Sequence, residues 1–206
     1  MNKITVLIID DHAILRMGLA SLLNAKKDIE VVGDAANGKT GIQKALKQRP
    51  DVVIVDLMMP SMDGTETTRR LLAASPDLKV LVLTTFATSD GITHALEAGA
   101  LGAIMKNCDF HELVTAIRTV SRGERYVSPE VERIISKDPP IAPLSPRQAE
   151  ILQSIVRGLS NPDIAKQLGI SLDMVKEHTE ALFQKLGVAN RPEAVAIALR
   201  KHLLKI

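Results

Sequence analysis

Three carboxylates, a hydroxyl and an ammonium stand where apolar runs of the chain end. Asp10 and Asp11 follow Ile4-Thr5-Val6-Leu7-Ile8-Ile9, and Asp56 follows Val52-Val53-Ile54-Val55. Val80-Leu81-Val82-Leu83 ends in Thr84-Thr85, and Ala103-Ile104-Met105 ends in Lys106. Adjacent acids repel one another at short range unless a counter-ion joins them. Mg²⁺ removes that cost and prefers a few carboxylates together with waters and phosphate oxygens. A carboxylate beside such a cation can act as a nucleophile and form an aspartyl-phosphate. Lys106 would neutralise the phosphoryl oxygens, and Thr84 would donate a hydrogen bond to them. A single Asp at a strand end is more often only a helix cap. Five such groups at four strand ends point instead to phosphoryl chemistry at a divalent cation.

Positioning these groups requires a sheet. Strand-like segments at 4–9, 30–35, 51–55, 79–84 and 102–105 alternate with helical periods, such as Ile14, Leu15, Leu19, Leu22 and Leu23. A last helix near 109–122 places Leu113, Val114, Ile117 and Val120 on one face. Continuous Val/Ile/Leu runs predict strands buried on both faces, as in a parallel sheet between helical layers. Ligands of such sheets sit outside the carboxyl ends of the strands. Asp63-Gly64, after Pro60, reads as a tight turn beside the Asp56 loop.

Residues 123–143 read as a linker, with a short helix near 129–136 and stiffening from Pro139, Pro140 and Pro143. Beyond it the pattern is all helical. Ser145-Pro146-Arg147-Gln148 supplies a capping Ser, a Pro at the first turn and a Gln at the third position. Asn161-Pro162-Asp163 opens a short helix that Gly169 ends, Ser171 caps a third, and Asn190-Arg191-Pro192-Glu193 opens a fourth. The two helices joined by Gly169-Ile170-Ser171 form a helix-turn-helix candidate.

The 206 residues hold 26 basic and 24 acidic side chains. Residues 1–128 balance at 15 of each, whereas residues 144–206 hold 9 basic and 6 acidic, a net +3. That lean favours nucleic acid only slightly. The single Cys108 excludes an internal disulfide and a cysteine-based zinc site. With no Trp, one Tyr and three Phe, base stacking on an aromatic platform is not expected. There is no signal-peptide pattern and no apolar run of membrane-spanning length, so a cytoplasmic protein without a membrane partner is expected.

Asp10-Asp11, Asp56-Leu57-Met58-Met59-Pro60-Ser61-Met62-Asp63-Gly64, Thr84 and Lys106 resemble the receiver domain of two-component response regulators. The resemblance covers residues 1–122 and implies a flavodoxin-like α/β domain with five parallel strands in the order 2-1-3-4-5. It makes Asp56 the phosphoacceptor. Asp10, Asp11, Asp56 and the backbone carbonyl of Met58 would hold Mg²⁺. Thr84 and Lys106 would bind the phosphoryl group and report its arrival. One position departs from the family. Receivers usually carry Tyr or Phe three residues before the lysine, and this chain has Ala103. The usual relay from threonine to aromatic is then replaced, on this reading, by the loop after Thr84 and the helix beginning near Ser89.

Residues 144–206 resemble the LuxR-type helix-turn-helix, through Leu144-Ser145-Pro146-Arg147-Gln148, Gly158-Leu159-Ser160-Asn161, Ile164-Ala165, Leu168-Gly169-Ile170-Ser171, Val175-Lys176-Glu177-His178 and Lys185-Leu186-Gly187-Val188. Together with a receiver this implies a response regulator of the NarL/FixJ type, with an all-α four-helix output domain. The third helix would enter the major groove. Lys176, Glu177, Glu180 and Gln184 would face DNA, with His178, Lys185 and Arg191 as further contacts. Phosphates repel Glu177 and Glu180, although a Glu can accept a hydrogen bond from cytosine N4. Ala194, Val195, Ala198 and Leu199 would either form a dimer seam or pack on the helical core. The resemblance implies a sensor histidine kinase, double-stranded promoter DNA and RNA polymerase as partners, and a homodimer on phosphorylation. It implies a stoichiometric phosphoacceptor rather than an enzyme. A hydrolase forming an aspartyl-phosphate would want a second acid two residues after the nucleophile, where Met58 stands. The alternative retained is a DNA-binding regulator or protein adaptor that works without phosphorylation.

Overall fold

The computed structural model describes residues 3–85, 89–137, 140–142, 144–201 and 203–204. The chain divides into two compact units, Met1–Pro139 and Pro140–Ile206.

In the first unit β1 (Ile4–Ile9), β2 (Ile29–Ala35), β3 (Val52–Val55), β4 (Lys79–Thr84) and β5 (Gly102–Met105) alternate with α1 (Ala13–Asn24), α2 (Gly38–Gln48), α3 (Gly64–Ala74), α4 (Ser89–Glu97) and α5 (Phe110–Ser121). A two-residue β6 (Tyr126–Val127) and α6 (Pro129–Lys137) follow. The strands lie parallel in the order β2-β1-β3-β4-β5-β6. The expected order of five strands is present, and β6 adds a sixth at the β5 edge. Alternate strand residues feed two cores. Leu7, Ile9, Val53, Val80 and Val82 pack with α2, α3, α4 and α6. Val6, Ile8, Ile54, Leu81 and Ile104 pack with α1 and α5. Order reverses between β1 and β3, the switch point at which such sheets open a ligand crevice.

The expected boundary at residue 122 is too early, and residues 123–137 are not a linker. Ser128 N–H donates to Ala103 O at 3.1 Å, and Val131 on α6 is fully buried. The reason lies in the open edge of β5, whose backbone groups need partners. Short β6 supplies them, and the apolar stripe Val131, Ile134, Ile135 of α6 covers the adjoining core. Of the proline-stiffened connection at 139–143, Pro139 and Pro143 lie outside the described residues. So do Phe86, Ala87 and Thr88 of the proposed relay loop after Thr84.

The second unit contains α7 (Pro146–Val156), α8 (Asn161–Leu168), α9 (Leu172–Leu186) and α10 (Arg191–Arg200). Its core is Ile151, Leu152, Ile155, Ile164, Val175, Leu182 and Leu186, closed by Ala194 and Ala198. Capping boxes start α7 from Ser145 and α8 from Ser160, and Ser171 caps α9 by accepting from Met174 N–H at 3.2 Å. Gly169 takes φ of 65° at the end of α8, a left-handed turn that costs glycine nothing and leads directly into α9.

Candidate functional site

β1 and β3 are neighbours, so the residues that follow them converge. Asp10 and Asp56 are each only 2 % exposed. Lys106, at the end of β5, crosses to both of them. Its Nζ lies 2.6 Å from Asp10 Oδ2 and 2.8 Å from Asp56 Oδ2. Burial raises the Asp56 carboxyl above the ordinary aspartate range, Lys106 opposes that rise, and neighbouring Asp10 adds to it. Burial alone would lower the Lys106 ammonium, but Asp10 and Asp56 more than reverse this, so its titration moves up. The ammonium of Lys106 thus lies between the two carboxyl groups.

The surrounding backbone is tightly set. Met58 N–H donates to Asp56 Oδ1 at 3.2 Å. Asp63 caps α3 by accepting from Glu66 N–H at 2.8 Å, so the expected tight turn is the entry to a helix. Gly64 sits against this loop so closely that a Cβ there would lie 2.2 Å from Asp56 O. Arg16 donates to Asp10 O at 2.8 Å and to Asp34 Oδ2 at 2.7 Å, which ties the β1 end to the β2 end.

The donor set fits a cation and an oxyanion. Asp11 Oδ1 is buried and meets His12 Nδ1 at 2.8 Å. Thr84 Oγ1 is buried with no hydrogen-bond partner among the described residues, and its residue is linked to Lys106 by a backbone bond of 2.7 Å. Asp10, Asp11 and Asp56 each offer an oxygen within 4.8 Å of the others. Ala103 is fully buried on β5, opposite Val82 and Val127, in the core that α6 helps to cover.

On α9, Lys176, Glu177, Glu180 and Gln184 are exposed, and His178 is half-buried. Lys176 Nζ pairs with Asp173 Oδ1 at 3.1 Å. Two expected DNA contacts are engaged inside the unit. Lys185 lies 3.4 Å from Gln148 Oε1, the side chain that completes the α7 capping box. Arg191 donates through Nη2 to Ile155 O at 3.3 Å and also to Leu159 O, satisfying carbonyls at the end of α7. Ala194 and Ala198 are core residues of this unit, whereas Leu199 is half exposed.

Residues 6–118 match the response regulator receiver domain, and residues 142–198 match the bacterial regulatory proteins of the luxR family. The chain belongs to the response regulators with a LuxR-type DNA-binding domain. It is 38 % identical over 215 residues to the oxygen regulatory protein NreC of Staphylococcus epidermidis, covering 97 % of this chain and 99 % of that one. It is 38 % identical over 209 residues to the transcriptional regulatory protein LiaR of Bacillus subtilis, covering 98 % and 99 %. A solved structure of RcsB from Salmonella enterica serovar Typhimurium, bound to promoter P1flhDC with the phosphomimetic BeF3⁻, superposes with a TM-score of 0.72 at 26 % identity, covering 97 % and 99 %.

As a response regulator the chain carries one pocket residue that sequence reasoning missed. His12 Nδ1 lies 2.8 Å from Asp11 Oδ1 and 3.2 Å from Asp10 Oδ1. The signal was available, since a metal-ligating residue type directly follows the two acids.

Proposed function

We propose that this response regulator accepts a phosphoryl group on Asp56 from a sensor histidine kinase and, as a dimer, binds promoter DNA through α9. The observation that carries this reading is the sharing of Lys106 by the buried carboxylates of Asp10 and Asp56. A carboxylate oxygen of Asp56 attacks phosphorus in line, forming an O–P bond while the donor's bond to phosphorus breaks and the leaving group takes that electron pair. Mg²⁺ held by Asp10, Asp11, Asp56 and the Met58 carbonyl would neutralise charge on the transferring group. Lys106 pairs with phosphoryl oxygen and the free Thr84 hydroxyl donates to another. The added charge, about −1.5 to −2, biases a two-state receiver by a few kcal/mol. The chain acts stoichiometrically, with self-phosphorylation and slow self-dephosphorylation as its only turnover.

On DNA, Lys176, Glu177, Glu180 and Gln184 face the major groove of two half-sites about one helical turn apart. Because Lys185 and Arg191 already serve the α7 ends, Lys176 leads the contacts. RNA polymerase is the downstream partner. Among the described residues no helix is long and apolar enough to cross a membrane. Promoter DNA as the proposed target puts the protein's work in the cytoplasm.

Incubation with acetyl phosphate, followed by intact mass, tests the first step. One phosphoryl adduct is expected on the wild type and none on Asp56→Ala. An unmodified wild type, or full labelling of Asp56→Ala, would sink it. A second reading, DNA binding without phosphorylation, is favoured by Ala103, which cannot make the usual aromatic swing. Gel shifts with and without the phosphoryl donor separate the two readings: equal binding in both lanes favours the second.

A further inference from the structure

Asp10 and Asp11 are consecutive, so a single peptide group separates their side chains. That peptide is planar, which leaves ψ of Asp10 and φ of Asp11 as the soft angles between the two carboxylates. The chain before it is fixed by the sheet, since Asp10 N–H donates to Ala35 O at 3.1 Å at the end of the β1–β2 ladder. The carbonyl of the peptide itself is taken by Arg16, whose Nη1 donates to Asp10 O at 2.8 Å. This guanidinium comes from the start of α1, and its side chain is only 13 % exposed. Its Nε donates at the same time to Asp34 Oδ2 at 2.7 Å. Asp34 is held in turn, because Lys44 of α2 donates to its backbone carbonyl. One planar fork thus joins the Asp10–Asp11 peptide to the end of β2. Asp34 also pairs the charge of the fork, which would otherwise repel a cation nearby.

We infer that Arg16 is a positioning residue of the cation site: it locks the Asp10–Asp11 peptide so that both carboxylates meet one ion, and Asp34 aims it. This rests on the cation-site reading given under Proposed function. Arg16 acts through the ligands and touches no ion itself. A planar guanidinium engages two acceptors at a fixed angle, which the flexible ammonium of a lysine does not. Outer groups that orient metal ligands commonly set affinity by about 10–100-fold. Charge alone pulls the other way. Removing Arg16 frees the Asp34 carboxylate close to the pocket, and an added anion attracts a divalent cation. A fall in Mg²⁺ affinity on losing Arg16 is therefore the mark of positioning, and a rise is the mark of charge.

Calorimetric titration of the full chain with MgCl2 tests this on the wild type and on Arg16→Ala with Asp34→Asn, a double variant that removes one charge of each sign. The control is Arg118→Ala with Asp28→Asn, which removes another ion pair of the receiver in the same way. The Arg16 double variant should lose about tenfold in Mg²⁺ affinity, and the control should lose none. In the metal-free chain, hydrogen exchange at the amides of Asp10, Asp11 and His12 should quicken in the Arg16 double variant. Exchange at Asp56, whose N–H donates to Ile9 O at 2.8 Å, should not change. Arg16→Lys, which keeps the charge without the fork, should also bind Mg²⁺ more weakly, and it decides the matter if urea denaturation shows the double variant unfolded. Wild-type Mg²⁺ affinity in the folded double variant, or in Arg16→Lys where that variant decides, overturns the inference. So does an equal loss in the control. If the wild type binds Mg²⁺ and is labelled on Asp56 in that case, only the role of Arg16 fails. A wild type that binds no Mg²⁺ removes the cation-site reading itself, and this inference with it.

Discussion

Asp10 and Asp56 are enclosed at the ends of β1 and β3, whereas Glu177 and Glu180 stand in solvent on α9. All four are carboxylates at positions proposed to act in phosphoryl transfer or DNA reading, yet two are buried and two are exposed. The buried pair is held by Lys106 within 2.8 Å. Neither glutamate has an ion-pair partner among the described residues. Taking a charge out of water costs several kcal/mol unless it is paired. Enclosed acids therefore persist only where something compensates them, and their presence is informative. An exposed acid costs almost nothing, so its position constrains function far less. The contrast explains why the receiver pocket reads so clearly and the DNA-reading face so much less.

The largest effect should come from removing the compensating cation. Lys106→Ala leaves two buried carboxylates facing each other, and breaking a buried pair in this way costs about 3–5 kcal/mol. Lys106 titrates above 10.5, so its contribution is complete at neutral pH and is lost only as pH rises through that raised value. Urea denaturation at pH 7 should show the loss, and Mg²⁺ should restore part of it. A receiver as stable as the wild type without Mg²⁺ would mean that Asp10 and Asp56 are not the strained pair described above.

A smaller effect of opposite sign is expected from Asp56→Asn, which keeps the shape and removes one charge. The Asp56 carboxyl titrates above its ordinary 3.8 in the folded chain. Between those two values the folded state binds more protons than the unfolded state, so stability falls as pH rises through the window. Asparagine lacks this penalty. The variant should be more stable than the wild type at pH 7, and the gap should close on acidification below the raised value. A gap that is constant with pH would show that desolvation of Asp56 is not what separates the two proteins.

The same contrast governs what could be read before the fold was seen. Strands β1, β4 and β5 were legible to the residue, because short apolar runs that end in a polar or charged group have few alternatives when both faces are buried. The caps at Ser145, Ser171 and Asn190 were legible because a short polar side chain before an apolar period has a local job. Tyr126–Val127 was not, since two residues carry no period and pair only because β5 offers an open edge. Val131 on α6 gave no sign that it would be fully buried in the receiver rather than on a linker helix. The roles of Lys185 and Arg191 were hidden for a related reason. A long cation on a helix surface looks the same in sequence whether it reaches a phosphate or a carbonyl of the preceding helix.

The smallest change in stability should come from Glu180→Gln, which is the exposed counterpart of Asp56→Asn. With no pairing to lose, the folded state should shift by less than about 0.5 kcal/mol. DNA binding is where the substitution acts. A unit charge near a phosphate is worth about 1 kcal/mol in water, so affinity at low salt should rise by up to about fivefold and the gain should shrink as salt screens it. Sequence preference decides what the acid does. If Glu180 reads cytosine through N4, glutamine in its place shifts preference at that base toward adenine, with which it forms two hydrogen bonds. Selection from random duplexes at fixed salt with both proteins measures this. A uniform gain on every sequence would make Glu180 a bystander that merely repels phosphates, and a loss of stability comparable to that of Lys106→Ala would erase the distinction between the two carboxylate environments.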